Sequence, residues 1–270
     1  MGDRIFSDIS SVLKGAFGIA VALIFLASVP ASASADVIIY EDFSRPDGTN
    51  IQGLQPSPTN LPGGTWGVSS NFWNPFVSGG HLSMGADQQW TISIADFGGY
   101  IRPPRLTISA DISEGNYSGI VANRGVGVGF SNTFGGTAST FTGLRLRPDG
   151  KLSYMVNGIE VAFVDAAIAG YNANAFYNLS YTVDTSTGAL SNIALQGSSA
   201  DFSSLEAAGN FFTLANTTYA AFFGGGGANS RGSIDNFTLS EAAPAPEPAS
   251  LALMSVGLAG IGILRRRRKE

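Results

Sequence analysis

A single histidine, His81, and no cysteine stand among the 270 residues, so thiol chemistry is excluded and any triad or imidazole-metal site must use one side chain. His81 follows Gly79 and Gly80 and precedes Leu82, the place of a turn residue entering a strand. Carboxylates are more numerous, and two of them facing each other across a sugar, one protonated and one ionised, would hydrolyse a glycan. Glu41 and Asp42 are adjacent, so they point to opposite faces of a strand. Glu114 leads into Gly115 and Asn116, a loop, and Glu160 and Asp165 lie too far apart along an edge-like hairpin. The run Gly224 to Gly227 lacks the Lys-Ser or Lys-Thr pair that closes a phosphate loop and fits a strand or turn at a concave rim. Asp47, Asp149 and Asp235 have asparagine neighbours, which leaves calcium binding and plain turn chemistry both open. The expectation is a protein without catalytic residues, assigned metal ligands or cofactor.

Binding has a better candidate. Between residues 66 and 90 lie Trp66, Phe72, Trp73, Phe76, His81 and Trp90, interleaved with Asn71, Asn74, Gln88 and Gln89. Sugars stack their C–H faces on aromatic rings and hydrogen-bond to amides, so this composition could line a carbohydrate groove. Trp73, in the loop-like segment NFWNPF, is the first choice, ahead of Trp66 and Trp90. The competing reading is that these tryptophans fill a core.

The elements that must position such residues read as strands. In LTISADI, Leu106, Ile108, Ala110 and Ile112 fall on one face and Thr107, Ser109 and Asp111 on the other. Val126, Val128 and Phe130 alternate with glycines. Leu144 and Leu146 alternate with Arg145 and Arg147; Pro148, Asp149 and Gly150 then turn the chain into Leu152, Tyr154 and Val156, and Asn157-Gly158 turns it into Ile159, Val161 and Phe163. Tyr177 to Val183 and Leu190 to Leu195 flank the turn DTSTG, and the best helical stretch, Phe202 to Ala208, makes two turns at most. Many short strands at even spacing predict an all-β, two-sheet sandwich of the jelly-roll kind. Asp36 to Glu241 is long enough for one such domain. This segment holds eight Lys and Arg against sixteen Asp and Glu, a balance of −8 beneath the whole-chain value of −5, and so disfavours nucleic acid.

Both ends carry addresses. Residues 16–27, AFGIAVALIFLA, follow Arg4 and Lys14 and precede Pro30 and the small-residue stretch ASASA, the layout of a signal peptide over 1–35 that a signal peptidase removes. At the other end, residues 242–270 contain Pro246-Glu247-Pro248, an uncharged apolar run over 249–264, and the cations Arg265, Arg266, Arg267, Arg268 and Lys269. Sixteen helical residues span roughly 24 Å against a hydrocarbon core of roughly 30 Å, which predicts a short transmembrane helix whose basic end stays in the cytoplasm. This order of triplet, apolar helix and terminal arginines resembles the PEP-CTERM protein-sorting signal of Gram-negative, polysaccharide-producing bacteria. The resemblance implies processing near Pro246, Glu247 and Pro248 by an exosortase, an integral membrane cysteine peptidase. Transient anchoring in the membrane and delivery to the cell surface or extracellular matrix would follow.

The body carries a resemblance of its own. Ile39, Tyr40, Glu41, Asp42 and Phe43 at its start, Ile234 to Leu239 at its end, and the central LRLRPDGKLSYMVNGIEVAF are similar to the first strand, the last strand and the paired turns of concanavalin A-like lectin and glucanase domains. In that family the first and last strands pair. Its laminarinase-like members carry Glu, Asp and Glu at every second position of one strand, a spacing absent from this sequence. The expected function is therefore an exported surface or matrix protein with a noncatalytic, carbohydrate-binding sandwich, exopolysaccharide being the partner implied. A structural or adhesion role without a small ligand, and a glycan-active enzyme, are the alternatives.

Overall fold

The computed structural model describes residues 35–56, 65–68, 75–84, 90–94, 103–115, 124–133, 138–209, 219–225 and 232–242. Residues 1–34 of the leader, Pro246-Glu247-Pro248, the 249–264 run, the Arg265–Lys269 cluster and Trp73 lie outside them. Among the described residues no helix is long and apolar enough to cross a membrane. Asp36–Ala242 form one compact unit.

Period-two alternation builds fourteen strands among the described residues: β1 (Val37–Glu41), β2 (Trp66–Val68), β3 (Phe76–Ser78), β4 (His81–Ser83), β5 (Trp90–Ile94), β6 (Arg105–Ser113), β7 (Gly125–Ser131), β8 (Phe141–Leu146), β9 (Lys151–Val156), β10 (Ile159–Asp165), β11 (Tyr177–Asp184), β12 (Leu190–Leu195), β13 (Tyr219–Gly225) and β14 (Ser233–Glu241). One short α-helix, α1 (Ser203–Ala208), and a 3-10 turn, Ala138–Thr140, accompany them. The strands form two antiparallel sheets, one ordered β12-β11-β6-β14-β4-β3 with β1 also on β14, the other β10-β9-β8-β7-β13-β5-β2. This is the all-β sandwich that the spacing of strands and turns predicts.

Each expected turn is present for a physical reason. Asn157 and Gly158 have φ of 47° and 76°, the left-handed pair that a two-residue hairpin between twisted strands requires. At Asp184 the carboxylate accepts from the Ser186 and Thr187 N–H groups and the Ser186 hydroxyl, and these bonds hold its pKa down at about 2. The end strands pair as the family resemblance implies: Ile39 lies opposite Leu239 and Glu41 opposite Phe237. Asn236, with φ of 49°, marks an irregularity at which β14 leaves β4, bonded through Ser233 and Ile234, and takes up β1.

The core lies between the sheets. Ile108, Ala110 and Ile112 of β6 and Leu179, Tyr181 and Val183 of β11 are buried in one cluster with Val126, Val128 and Phe130 of β7 and Leu144 and Leu146 of β8. Tyr181 ties the layers directly, donating its hydroxyl to Val128 O at 2.8 Å. Burial pushes its phenol pKa up.

Candidate functional site

The second face of the β7-β8-β9-β10 meander, away from this core, carries the polar chemistry. Gly127 and Gly129 on β7 alternate with core-facing valines, so they sit on this face opposite Arg145 and Gly143. The strands approach so closely here that a Cβ at Gly129 would lie 2.2 Å from Thr142 O, and one at Gly143 2.5 Å from Val128 O. At Gly125 the missing side chain leaves room for the Arg145 stem, whose Cγ would be 2.6 Å from a Cβ there. Arg145 is 1% exposed and its guanidinium lies 5.7 Å from the Phe223 ring centroid. Phe223 belongs to a second buried apolar cluster on this face with Phe141, Met155 and Ala221.

From Arg145 an ion-pair network runs toward the β10 edge. Glu160 accepts from both Arg145 Nη2 and, at 3.0 Å, Arg147 Nη1. Asp149 accepts from Arg147 Nη2 at 3.0 Å and pairs with Lys151 Nζ at 3.1 Å. Ser153 bonds Arg145 Nε at 3.1 Å. Arg147 Nε and Asp149 Oδ1 are buried without a hydrogen-bond partner among the described residues. Above the network lies Phe163, 54% exposed, with its ring centroid 5.3 Å from both Arg147 Cζ and Lys151 Nζ.

A bulge puts that ring outside. Beyond the Asn157-Gly158 turn, Glu160 pairs with Met155, but the register shifts before Ala162, which pairs with Tyr154. Counting without the extra residue would place Phe163 opposite core-facing Leu152. Because Val161 is inserted, Phe163 instead faces Ser153 and points with it to the outer face.

Beneath the other end of this face, Glu114 is 2% exposed and accepts from Val126 N. Burial pushes its carboxyl up to about 8, against the opposing pull of the Val126 N–H and of Arg145. Tyr171 closes the region, donating its hydroxyl to Arg147 O at 3.2 Å.

The tryptophans divide. Trp66 is not a sugar-stacking residue: it is 1% exposed, packs 4.9 Å from the Phe222 centroid, and donates its indole N–H to Glu41 Oε2 at 3.1 Å. Its expected place in a groove is corrected to the core, because β2 turns it inward onto a buried acceptor. Trp90 contributes backbone to β5, opposite Gly224, and Trp73 lies outside the described residues. His81 opens β4 after the Gly79-Gly80 turn and meets Phe176 edge to face at 5.3 Å. Of the carboxylates weighed for calcium, Asp47 accepts Gly79 N, Asp149 is held by cations, and Asp235 accepts Asn236 N. Among the described residues no group of three or more His, Cys, Asp or Glu could hold a metal ion.

Sequence reasoning passed over Phe163, Arg147, Lys151 and Glu160 as a set. The available signal was the period-two placement of Arg145, Arg147, Lys151 and Ser153 on one face of a hairpin whose turns were legible.

Comparison with known proteins identifies the tail. Residues 244–269 match the PEP-CTERM protein-sorting motif. No curated protein matches the chain. Among solved structures, domain 4 of AbnA, a GH43 extracellular arabinanase from Geobacillus stearothermophilus in complex with arabinotriose, is 16% identical, with 81% of this chain and 98% of that one covered and a TM-score of 0.43. The exoplasmic/lumenal domain of VIP36 in its Ca2+/Man3GlcNAc-bound form is 11% identical over 76% of this chain and 94% of that one, with a TM-score of 0.42. A Trypanosoma rangeli sialidase complex is 13% identical over 80% of this chain and 32% of that one, with a TM-score of 0.46.

Proposed function

We propose that the PEP-CTERM motif at 244–269 routes this chain through exosortase processing to the cell surface or extracellular space, where its sandwich binds glycans without cleaving them. The observation that carries the binding reading is the half-exposed Phe163 ring set above a network of guanidinium, ammonium and carboxylate groups. An aromatic face beside fixed donors and acceptors matches a pyranose, which has an apolar C–H side and a rim of hydroxyls. Hydrolysis is disfavoured by the same geometry. Glu160 is shared between two arginines and Asp149 between Arg147 and Lys151, so both are engaged with cations and not presented as a pair across a cleft. Glu114 has the raised pKa of an acid but is 2% exposed and bonded to Val126 N.

Binding to a glycan array tests the proposal. Phe163→Ala should abolish binding while the melting temperature stays unchanged, since the ring is outside the core. Retained binding by that variant, with loss in Trp73→Ala, would move the site to the segment around residue 73.

A scaffold role without a small ligand is the second reading. It is favoured by Ile159 and Val161, 68% and 45% exposed on edge strand β10, a surface suited to contact with other matrix components. Absence of binding to every glycan tested would favour it.

A further inference from the structure

Resting on the glycan-binding reading of the Phe163 face, we infer a second sugar site on the opposite side of the sandwich, at Phe176 and Asp111, through which one molecule joins two neutral glycan chains. Register builds it. Asn178 of β11 lies opposite Asp111 of β6, which lies opposite Asp235 of β14. Leu179, Ala110, Ile112 and Ile234 beside them are buried in the core, so this row points outward. Asp111 accepts Asn178 Nδ2 and Asn236 Nδ2, each at 2.8 Å, and Asn236 Oδ1 accepts the Tyr40 hydroxyl at 3.4 Å. Polar side chains on four strands are thereby held in place. Phe176, just before β11, meets His81 of β4 edge to face at 5.3 Å. Strands lie about 4.8 Å apart, and β6 and β14 stand between β11 and β4, so the two rings reach each other only by leaning over the row. Phe176 is 38% exposed there.

An exposed ring beside fixed donors and acceptors is the same pairing that carries the Phe163 reading. Each Asp111 oxygen takes one amide and has a lone pair left for a sugar hydroxyl. Asp111 and Asp235 stand directly opposite each other, and like charges so placed weaken a sheet. Burial first, then Asp111 and Asp42, push the Asp235 carboxyl up, against the pull of the Asn236 N–H and His81. Hydroxyl donors relieve such a pair and an acidic sugar adds to it, so the occupant is neutral. A protein partner fits poorly, since one ring among amides and carboxylates falls far short of the roughly 800 Å² per side of a stable interface. The Phe163 face also suits a neutral chain: Arg145, Arg147 and Lys151 are matched there by Glu160, Asp149 and Asp165, the last opposite Lys151. The two sites stand on different sheets, packed about 10 Å apart, and face away from each other. No single sugar reaches both. Phe176 is less exposed than Phe163, 38% against 54%, so its site is the weaker and holds a chain only where many copies engage that chain together.

The test uses the full chain, one copy per lipid nanodisc, captured on an immobilised neutral polysaccharide, a glucan, a mannan or a galactan, and then exposed to the same polymer in soluble fluorescent form. Captured wild type should retain the soluble polymer, which spans many copies. Phe176→Ala should still be captured through Phe163 but retain at least about tenfold less soluble polymer, and Phe176→Tyr, which keeps a ring, should restore retention. Capture without retention in wild type, or full retention by Phe176→Ala, overturns the bridging inference and leaves glycan binding standing. Failure of wild type to be captured on all three polymers overturns both. Wild-type thermal unfolding in the Phe176 variants guards against reading a folding defect as lost bridging.

Discussion

Glu114 offers the sharpest physical test of this architecture. It is 2% exposed, held by Val126 N, and has a carboxyl pKa pushed by burial to about 8 from an ordinary 4.5. Between those values the unfolded chain carries the carboxylate ionised while the folded one keeps it protonated, so folding takes up a proton. The stabilising preference is full below about pH 4.5 and is lost as pH rises toward 8, beyond which stability is level. At about 1.4 kcal/mol per pH unit, the span from 4.5 to about 8 corresponds to on the order of 5 kcal/mol. Glu114→Gln keeps an oxygen for the Val126 N–H and cannot ionise. Urea unfolding should therefore find variant and wild type within about 1 kcal/mol at pH 5, with the variant more stable by on the order of 5 kcal/mol at pH 8.5. Taking the difference between the two proteins cancels the titration of every other group. Parallel profiles across that range would show that Glu114 ionises like an exposed carboxyl, and the account of a dry, protonated site beneath Arg145 would be wrong.

Other perturbations have equally definite outcomes. Glu41→Ala strips the acceptor from the Trp66 indole and the Phe43 N–H and leaves Arg45 without its carboxylate; a loss of about 3 kcal/mol is expected in urea unfolding followed by tryptophan emission. Gly129→Ala forces a Cβ to 2.2 Å from Thr142 O, so β7 and β8 must separate at a cost of about 2 kcal/mol or more, visible as a lowered melting temperature with faster amide exchange in both strands. Deleting Arg265–Lys269 should abolish surface labelling of the protein in intact cells, and normal surface delivery of that mutant would contradict the proposed stop function.

The body was legible where local chemistry decides the outcome. Leu106 to Ile112 alternate on the faces that β6 presents, and the Asn157-Gly158 turn and the DTSTG turn stand where their residues place them. The site was less legible because it depends on long-range register. Phe163 reads as a core residue until the bulge at Val161 is known, and nothing in that residue announces an insertion. Trp66 was ambiguous for a related reason: its polar atom finds Glu41, 25 positions upstream, only after β1 and β2 are brought together by different sheets. Arg145 and Arg147 were visible as an alternating pair, but their common partner Glu160 comes from beyond two turns.

The placement of β14 carries a consequence for biogenesis. This strand joins β6 on one side to β4 and then β1 on the other, and Glu241 N bonds Asp36 O at 2.9 Å, closing the domain's two ends on each other. A nascent chain threaded amino end first would thus reach the far side of the membrane lacking its keystone, and its first sheet would stay open until residue 241 emerged. Only three positions later the sorting motif begins. Completion of the domain and arrival of the tail at its processing machinery would then be nearly simultaneous, so a slow-folding variant should be detected as a precursor held at the membrane.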